Sequence, residues 1–278
     1  ESYNGIGEVY RYTLRDYIEA EKYFKLSAQV LEHMPGETEK DLYRAYFNLA
    51  TTNRLMNDFE RALGYAFKAA KVLQLITPLD MNSFIKCQVI IANIYYDVEA
   101  YETAIRYYRK ALSLRLERKD LSSETAPDYT NLSQAYIRTG NFLNALNCVD
   151  SALQIMTIQQ WYDSAGIANI YMIKGKAMQE SGRFPEAISN YHKSYNIQRK
   201  FSRKNMLDMS DLYRHFSMTM YKIEQYDSAL YYIQKCIETA IGNETQISGF
   251  ANPTYERLVK VPQLYYELAH KGSTLAKL

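Results

Sequence analysis

The stretch Tyr101–Ala111 reads YETAIRYYRKA and begins with an aromatic residue that is followed three positions later by alanine. Steps of three and four residues place four of its side chains on one face of an α-helix. They are Tyr101, Ala104, Tyr108 and Ala111. Because small and bulky residues alternate on that face, the stretch predicts a helix that packs closely against a neighbour.

The aromatic–x–x–alanine pattern recurs at six places along the chain with a nearly constant spacing. Its alanines are Ala20, Ala62, Ala104, Ala145, Ala187 and Ala229, which lie 42, 42, 41, 42 and 42 residues apart. A polar turn precedes each aromatic residue, and a second segment with helical periodicity precedes the turn. Each period therefore predicts two helices. Such a hairpin must stack on its neighbours, since it cannot cover its apolar face alone.

Residues at the predicted turns agree with this interpretation. Gly140 and Gly182 fit the left-handed position that ends a first helix. Asp58 and Asn141 fit the N-cap of a second helix, and Pro185 fits a first turn, where a missing N–H has no consequence.

The repeated pattern resembles the tetratricopeptide repeat, and the third unit carries it in Ile91, Ala92, Tyr95, Tyr101 and Ala104. The period exceeds the usual length of about 34 residues, as in the long-repeat subgroup similar to kinesin light chains and peptide-sensing helical regulators. The resemblance implies an all-α fold, a right-handed α-solenoid of antiparallel helix pairs. It implies about six repeats, followed by a C-terminal capping or partial seventh repeat.

The predicted organisation is one solenoid domain over residues 1–278. Its repeats cover approximately residues 3–36, 38–78, 80–120, 122–159, 161–201 and 205–241, and residues 254–278 form the cap or partial repeat. A cap is the favoured interpretation, while continuation of the array past Leu278 is the alternative. Both ends fall inside helical patterns, so we interpret the sequence as a piece of a longer protein.

Composition and motifs argue against several classes of protein. Lys and Arg number 33 and Asp and Glu 31, and a net charge of +2 disfavours nucleic acid as a partner. No apolar run is long enough to span a membrane, and no signal peptide stands at the start. The four His are isolated, and no nucleophile–base pair, metal-ligand spacing or Gly-rich phosphate loop occurs. We therefore predict no catalytic residue, no cofactor, no metal site and no enzyme activity.

Binding in such solenoids is expected on the concave face, which the first helices line. Family geometry implies a set of partner-binding residues that lie just off the packing stripe of these helices. They are Arg44, Asn48, Arg54, Lys86, Asn93, Tyr96, Asn131, Gln134, Arg138, Lys176, Arg214, His215 and Tyr221. Amides can hold a peptide backbone and cations favour carboxylates, so a protein or peptide segment of acidic character is the expected partner. The alternative is that these residues form only a solvated polar face.

These features predict a non-catalytic scaffold that binds proteins or peptides. The alternative is a ligand- or partner-sensing domain of a larger signalling or transcriptional regulator, truncated at both ends. The Tyr, Asn and Lys content resembles repeat arrays of bacterial membrane-bound regulators, which leaves the bacterial cytoplasm and periplasm both open. Self-association into a homo-oligomer through an uncapped end is a further hypothesis.

Overall fold

The computed structural model describes residues 3–34, 39–76, 78–119, 124–158, 164–201, 206–241, 270–271 and 273–277. Regular structure in these residues is helical, without any strand. The chain divides into two compact units, Glu1–Thr139 and Gly140–Leu278. Most of the predicted cap at 254–278 lies outside the described residues.

The first unit is a series of helix pairs. Its helices are α1 (Tyr3–Val9), a π-helical segment (Tyr10–Leu14), α2 (Tyr17–Glu32), α3 (Glu39–Leu55), α4 (Phe59–Leu73), α5 (Met81–Asp97), α6 (Tyr101–Glu117) and α7 (Thr125–Arg138). Each helix packs against the next one along the chain, as short turns between helices require. Helix α5 also contacts both α3 and α7, so these first helices adjoin one another and form the first-helix face of this unit.

The second unit continues the same pattern. Its helices are α8 (Phe142–Ile158), α9 (Ser164–Glu180), α10 (Phe184–Phe201), α11 (Met206–Lys222) and α12 (Tyr226–Ile241). Helix α9 pairs with α10 and α11 pairs with α12, and α9 also contacts α11. The first helices α9 and α11 are therefore neighbours within this unit.

Small residues allow the helices to approach closely. The six pattern alanines are all fully buried: Ala20, Ala62, Ala104, Ala145, Ala187 and Ala229. A glycine plays the same part in the second unit, since a Cβ placed on Gly175 would lie 2.4 Å from a ring carbon of Tyr191. This confirms the predicted role of small side chains at the helix contacts.

Six equivalent turns place one residue each in the left-handed region, with φ between 54° and 79°. They are Arg15, Asn57, Glu99, Gly140, Gly182 and Glu224. In four of these turns the next residue donates its N–H back into the first helix, as from Asp58 to the carbonyl of Asn53 at 2.9 Å. The two predicted glycines are confirmed here, and four turns of the same form use a side-chain-bearing residue instead.

The predicted N-caps are also present. A carboxylate oxygen of Asp58 accepts from the backbone N–H of Arg61 at 3.1 Å, and the side-chain oxygen of Asn141 accepts from Asn144 at 3.3 Å. These bonds satisfy N–H groups that the first turn of a helix leaves without a partner.

Candidate functional site

Two cavities lie along the first-helix face of the first unit, and each contains three of the predicted binding residues. We call the first one the helix-start cavity, because it lies where α3 and α5 begin, and its volume is about 580 Å³. It is lined by Glu8, Lys40, Asp41, Tyr43, Arg44, Phe47, Asn48, Leu73, Ile76, Asp80, Ser83 and Lys86. The charged side chains in this lining are balanced in sign, and apolar side chains lie between them.

Two predicted residues of the helix-start cavity bond to neighbouring repeats. Asn48 is buried, and its Oδ1 accepts from Nη2 of Arg11 at 2.9 Å. Its Nδ2 donates to Glu8 at 3.3 Å. The ammonium of Lys86 lies 2.9 Å from a carboxylate oxygen of Glu124 at the start of α7. These polar groups therefore help to hold adjacent repeats together.

The helix-end cavity lies where α3, α5 and α7 end, and its volume is about 540 Å³. It is lined by Arg54, Leu55, Asn57, Phe59, Tyr96, Asp97, Glu99, Tyr101 and Arg138, of which Arg54, Tyr96 and Arg138 were predicted. Arg54 forms a two-bond pair with Asp97, with Nε at 2.5 Å and Nη2 at 3.3 Å from the two carboxylate oxygens. Arg138 donates from Nε and Nη2 to the hydroxyl of Tyr101 at 2.9 and 2.6 Å.

The other predicted residues of this unit lie on α5 and α7. Asn93 is half-buried, and its Oδ1 accepts from the hydroxyl of Tyr108 at 2.5 Å. Asn131 and Gln134 are half-buried on α7. The structure therefore brings six predicted residues together in two cavities and places these three elsewhere along the same helices.

A charge network centred on a buried arginine beneath this face was not predicted. Arg115 of α6 is only 2% exposed, and its Nε donates to Asp128 at 2.7 Å. Its Nη2 donates to Glu124 at 2.9 Å, and Lys86 also pairs with Glu124. The acidic residues stand one helical turn apart at the start of α7, which is the only hint of this network in the sequence.

In the second unit the predicted residues lie on α9 and α11. Lys176, Arg214 and Tyr221 are half-buried, whereas His215 is 7% exposed and its ring stacks on Tyr191 at a centroid distance of 5.6 Å. Burial lowers the pKa of His215 to about 3, and the positive charges of Arg214 and Lys176 act in the same direction. The imidazole is therefore neutral at neutral pH.

The ends of α9 and α11 also face each other. The ammonium of Lys222 lies 3.9 Å from a carboxylate oxygen of Glu180. This pair occupies the last turns of consecutive first helices, as the pair between Arg54 and Asp97 does in the first unit.

No group of His, Cys, Asp and Glu in the described part of the chain is arranged to hold a metal ion. The three cysteines are buried and unbridged. Among the helices of the described residues, none combines the length and apolar character that crossing a membrane requires.

Comparison with known proteins gives one family and several structures. Residues 89–122 match the tetratricopeptide repeat family. None of the curated proteins matches the sequence. The chain is similar to BtubC (BKLC) from P. vanneervenii, with a TM-score of 0.70, 16% identity, and coverage of 87% of this chain and 97% of that chain.

Two further structures are similar to this chain. One is NprR in complex with its cognate peptide NprX, with a TM-score of 0.62, 17% identity, and coverage of 95% of this chain and 70% of that chain. The other is a signal transduction ATPase with numerous domains and a tetratricopeptide repeat sensor, from Pyrococcus horikoshii. Its TM-score is 0.66 at 15% identity, with coverage of 98% of this chain and 37% of that chain.

Identities this low carry information about the fold and not about the ligand. The helix order, the buried alanines and the matched repeat agree with the predicted resemblance, which is confirmed. The fold is all-α and built of helix pairs like those of tetratricopeptide repeat solenoids, and residues 89–122 are the part of the chain that matches the family directly.

Proposed function

We propose that this chain is a non-catalytic scaffold that binds a protein or peptide segment along the first-helix face of its repeats. The observation that carries the proposal is the pair of cavities on that face in the first unit, lined by polar and aromatic side chains. The similar protein NprR has been seen in complex with a peptide, which supports the same use of the fold here.

The two cavities can accept side chains of a peptide, and polar side chains of α7 can form hydrogen bonds with its backbone. In the helix-start cavity, the half-buried Phe47 and Ile76 provide apolar surface beside charged groups. Asn131 and Gln134 make no hydrogen bond to a described residue, so their amides can donate to and accept from a peptide group. A segment lying along α5 and α7 would thus have contacts for both its side chains and its backbone.

Most cations on this face already have acidic partners. Arg54 pairs with Asp97, and Lys86 pairs with Glu124. We therefore propose that the acidic character of the partner concerns one position of the bound segment rather than its whole length.

A double variant tests the scaffold. Peptides selected from a random display library on the intact chain would be measured by fluorescence anisotropy against the wild type and against Asn131→Ala/Gln134→Ala. Loss of two hydrogen-bonding amides is expected to weaken binding about tenfold. Gln29→Ala, at an exposed position on α2, serves as the control and should leave affinity unchanged. Equal affinity of the double variant and the wild type would contradict the proposal.

The second candidate function is the sensing domain of a larger regulator. The similarity to a signal transduction ATPase with a tetratricopeptide repeat sensor favours it. Sequencing the parent gene tests this function. An output domain or a membrane span beside the array would support it, and a parent chain that consists of the array alone would contradict it. Light scattering across a concentration series tests the separate hypothesis of a homo-oligomer, which requires the mass to rise.

A further inference from the structure

We propose that the helix-end cavity is a carboxylate pocket, which receives one carboxylate of the bound peptide together with the apolar group beside it. This inference rests on the proposed function, because it names the chemistry that the first-helix face recognises. It is carried by the arrangement of hydrogen-bond donors, acceptors and rings around the cavity.

Three consecutive repeats build the pocket from equivalent positions. Arg54, Tyr96 and Arg138 stand 42 residues apart in the last turns of α3, α5 and α7. The volume of about 540 Å³ falls within the range of about 300–1,000 Å³ that is usual for small-molecule sites. The pocket is therefore large enough for a carboxylate with an attached side chain.

Three hydrogen-bond acceptors in the pocket are already occupied. Both carboxylate oxygens of Asp97 accept from Arg54. The hydroxyl oxygen of Tyr101 accepts two N–H groups of Arg138. Glu99 is 74% exposed and lies 3.7 Å from Arg138, so this pair is a weak one in water.

Several donors, in contrast, have no acceptor among the described residues. The hydroxyls of Tyr96 and Tyr101 donate to no described residue, and neither does Nη1 of Arg54 or Arg138. A ligand that supplies acceptors would satisfy these donors. A carboxylate does so, and it can replace Glu99 as the ionic partner of Arg138.

The cation is held in place before any ligand binds. The guanidinium of Arg138 lies 5.1 Å from the ring centre of Tyr101 and is bonded to its hydroxyl, yet its side chain is 45% exposed. A fixed guanidinium loses little freedom on binding, which favours a planar carboxylate.

Rings form the rest of the wall. Tyr96 and Tyr101 meet edge to face at 5.3 Å, and Phe59 also lines the cavity. These rings provide apolar surface beside the cation, so a carboxylate next to a ring or aliphatic group is the best match.

Small probes test the pocket in the intact chain. Saturation-transfer NMR would compare N-acetylphenylalanine, its C-terminal amide, and N-acetylaspartate N-methylamide, which carries its carboxylate on the side chain. Both acids are expected to bind, and the neutral amide is expected to bind about tenfold more weakly. Binding of only one acid would identify whether a peptide terminus or an acidic side chain supplies the carboxylate.

Variants assign the binding to this pocket. Arg138→Gln should weaken binding of the acids about tenfold, and Tyr96→Phe, which keeps the ring and removes the hydroxyl, should weaken it about threefold. Arg109→Gln, an exposed arginine of α6 outside the cavity, should bind as the wild type does. Circular dichroism confirms that each variant is folded.

The outcomes separate the two proposals. Equal binding of the acid and the amide, or unchanged binding by a folded Arg138→Gln variant, would overturn the carboxylate pocket. If selected peptides lose affinity in Asn131→Ala/Gln134→Ala but not in Arg138→Gln, the result supports the peptide-binding scaffold and contradicts the carboxylate pocket. If the acids bind through Arg138 but no selected peptide loses affinity in Asn131→Ala/Gln134→Ala, the result supports the carboxylate pocket and contradicts the peptide-binding scaffold.

Discussion

At the scale of single residues, His215 shows how a residue predicted to lie on the binding face can instead have a structural role. Its place in the repeat puts it on α11 among the predicted binding residues, yet its ring stacks on Tyr191 and is almost fully buried. Lys176 from α9 and Arg214 from its own helix lie near enough to disfavour protonation. The folded second unit therefore favours the neutral imidazole.

We therefore predict that His215 makes stability pH-dependent. Its pKa is about 3 in the folded chain against 6.5 as the ordinary value, so its contribution is complete above pH 6.5. The contribution decreases as the pH falls below 6.5, and the decrease ends near pH 3. At pH 5 the decrease should be about 2 kcal/mol.

Urea unfolding of the wild type and of His215→Gln, at pH 7.5 and 5.0, measures this effect. The variant should lose less stability between the two pH values than the wild type does. Parallel losses in the two proteins would show that His215 does not contribute to the pH dependence.

At the scale of helices and turns, much of the structure could be predicted from the sequence. The alanine spacing located the second helices, and Asp58 and Asn141 located two of their starts. The left-handed turns were predicted only where glycine marks them, at Gly140 and Gly182. Glu224 adopts the same conformation at an equivalent turn, and nothing in its residue type signals this, since the surrounding helices impose the conformation.

Replacing glycine by alanine should change the stability in opposite directions at two positions, because the space around the two glycines differs. In α9, a Cβ at Gly175 would meet the buried ring of Tyr191 at 2.4 Å, so Gly175→Ala should lower the free energy of unfolding by about 1–3 kcal/mol. In α4, a Cβ at Gly64 meets nothing within 4 Å, so Gly64→Ala should raise stability by up to about 1 kcal/mol.

Thermal unfolding of both variants beside the wild type provides the measurement. Gly64→Ala is the matched control, because it introduces the same side chain into a helix with open space around it. A Gly175→Ala variant that melts with the wild type would show that α9 and α10 can move apart without loss.

At the scale of the whole molecule, stability is expected to be local, because each repeat contacts only its neighbours. Arg115→Met tests this by removing a charged partner of Asp128, which is 4% exposed. Removing one member of a buried ion pair should cost about 3–5 kcal/mol. The loss of amide protection should be concentrated in α5, α6 and α7.

Hydrogen exchange followed by mass spectrometry on the intact chain locates the loss. Arg109→Met, an exposed position on the same helix, is the control and should leave exchange unchanged. An equal loss of protection in α10 to α12 would instead indicate that the chain unfolds as one cooperative body.

The candidate site was less predictable than the fold. The repeat register placed Arg54 and Arg138 in the first-helix face, and the structure puts both in the helix-end cavity. The register could not indicate that Arg54 pairs with Asp97, because the two residues are 43 positions apart and meet only after the repeats stack. Asn48 is bonded to Arg11, which lies in a π-helical segment that the repeat pattern does not predict.

The ionic pairs at the ends of the first helices bear on how the repeats find their order. Arg54 matches Asp97 in the first unit, and Glu180 matches Lys222 in the second. Because the hairpins are so similar in sequence, one could dock against a hairpin that is not its neighbour in the chain. Such misassembly is a characteristic failure of repeat proteins. A hairpin docked against the wrong neighbour would leave a charge unmatched. These ion pairs can therefore favour docking of each hairpin against its correct neighbour during folding.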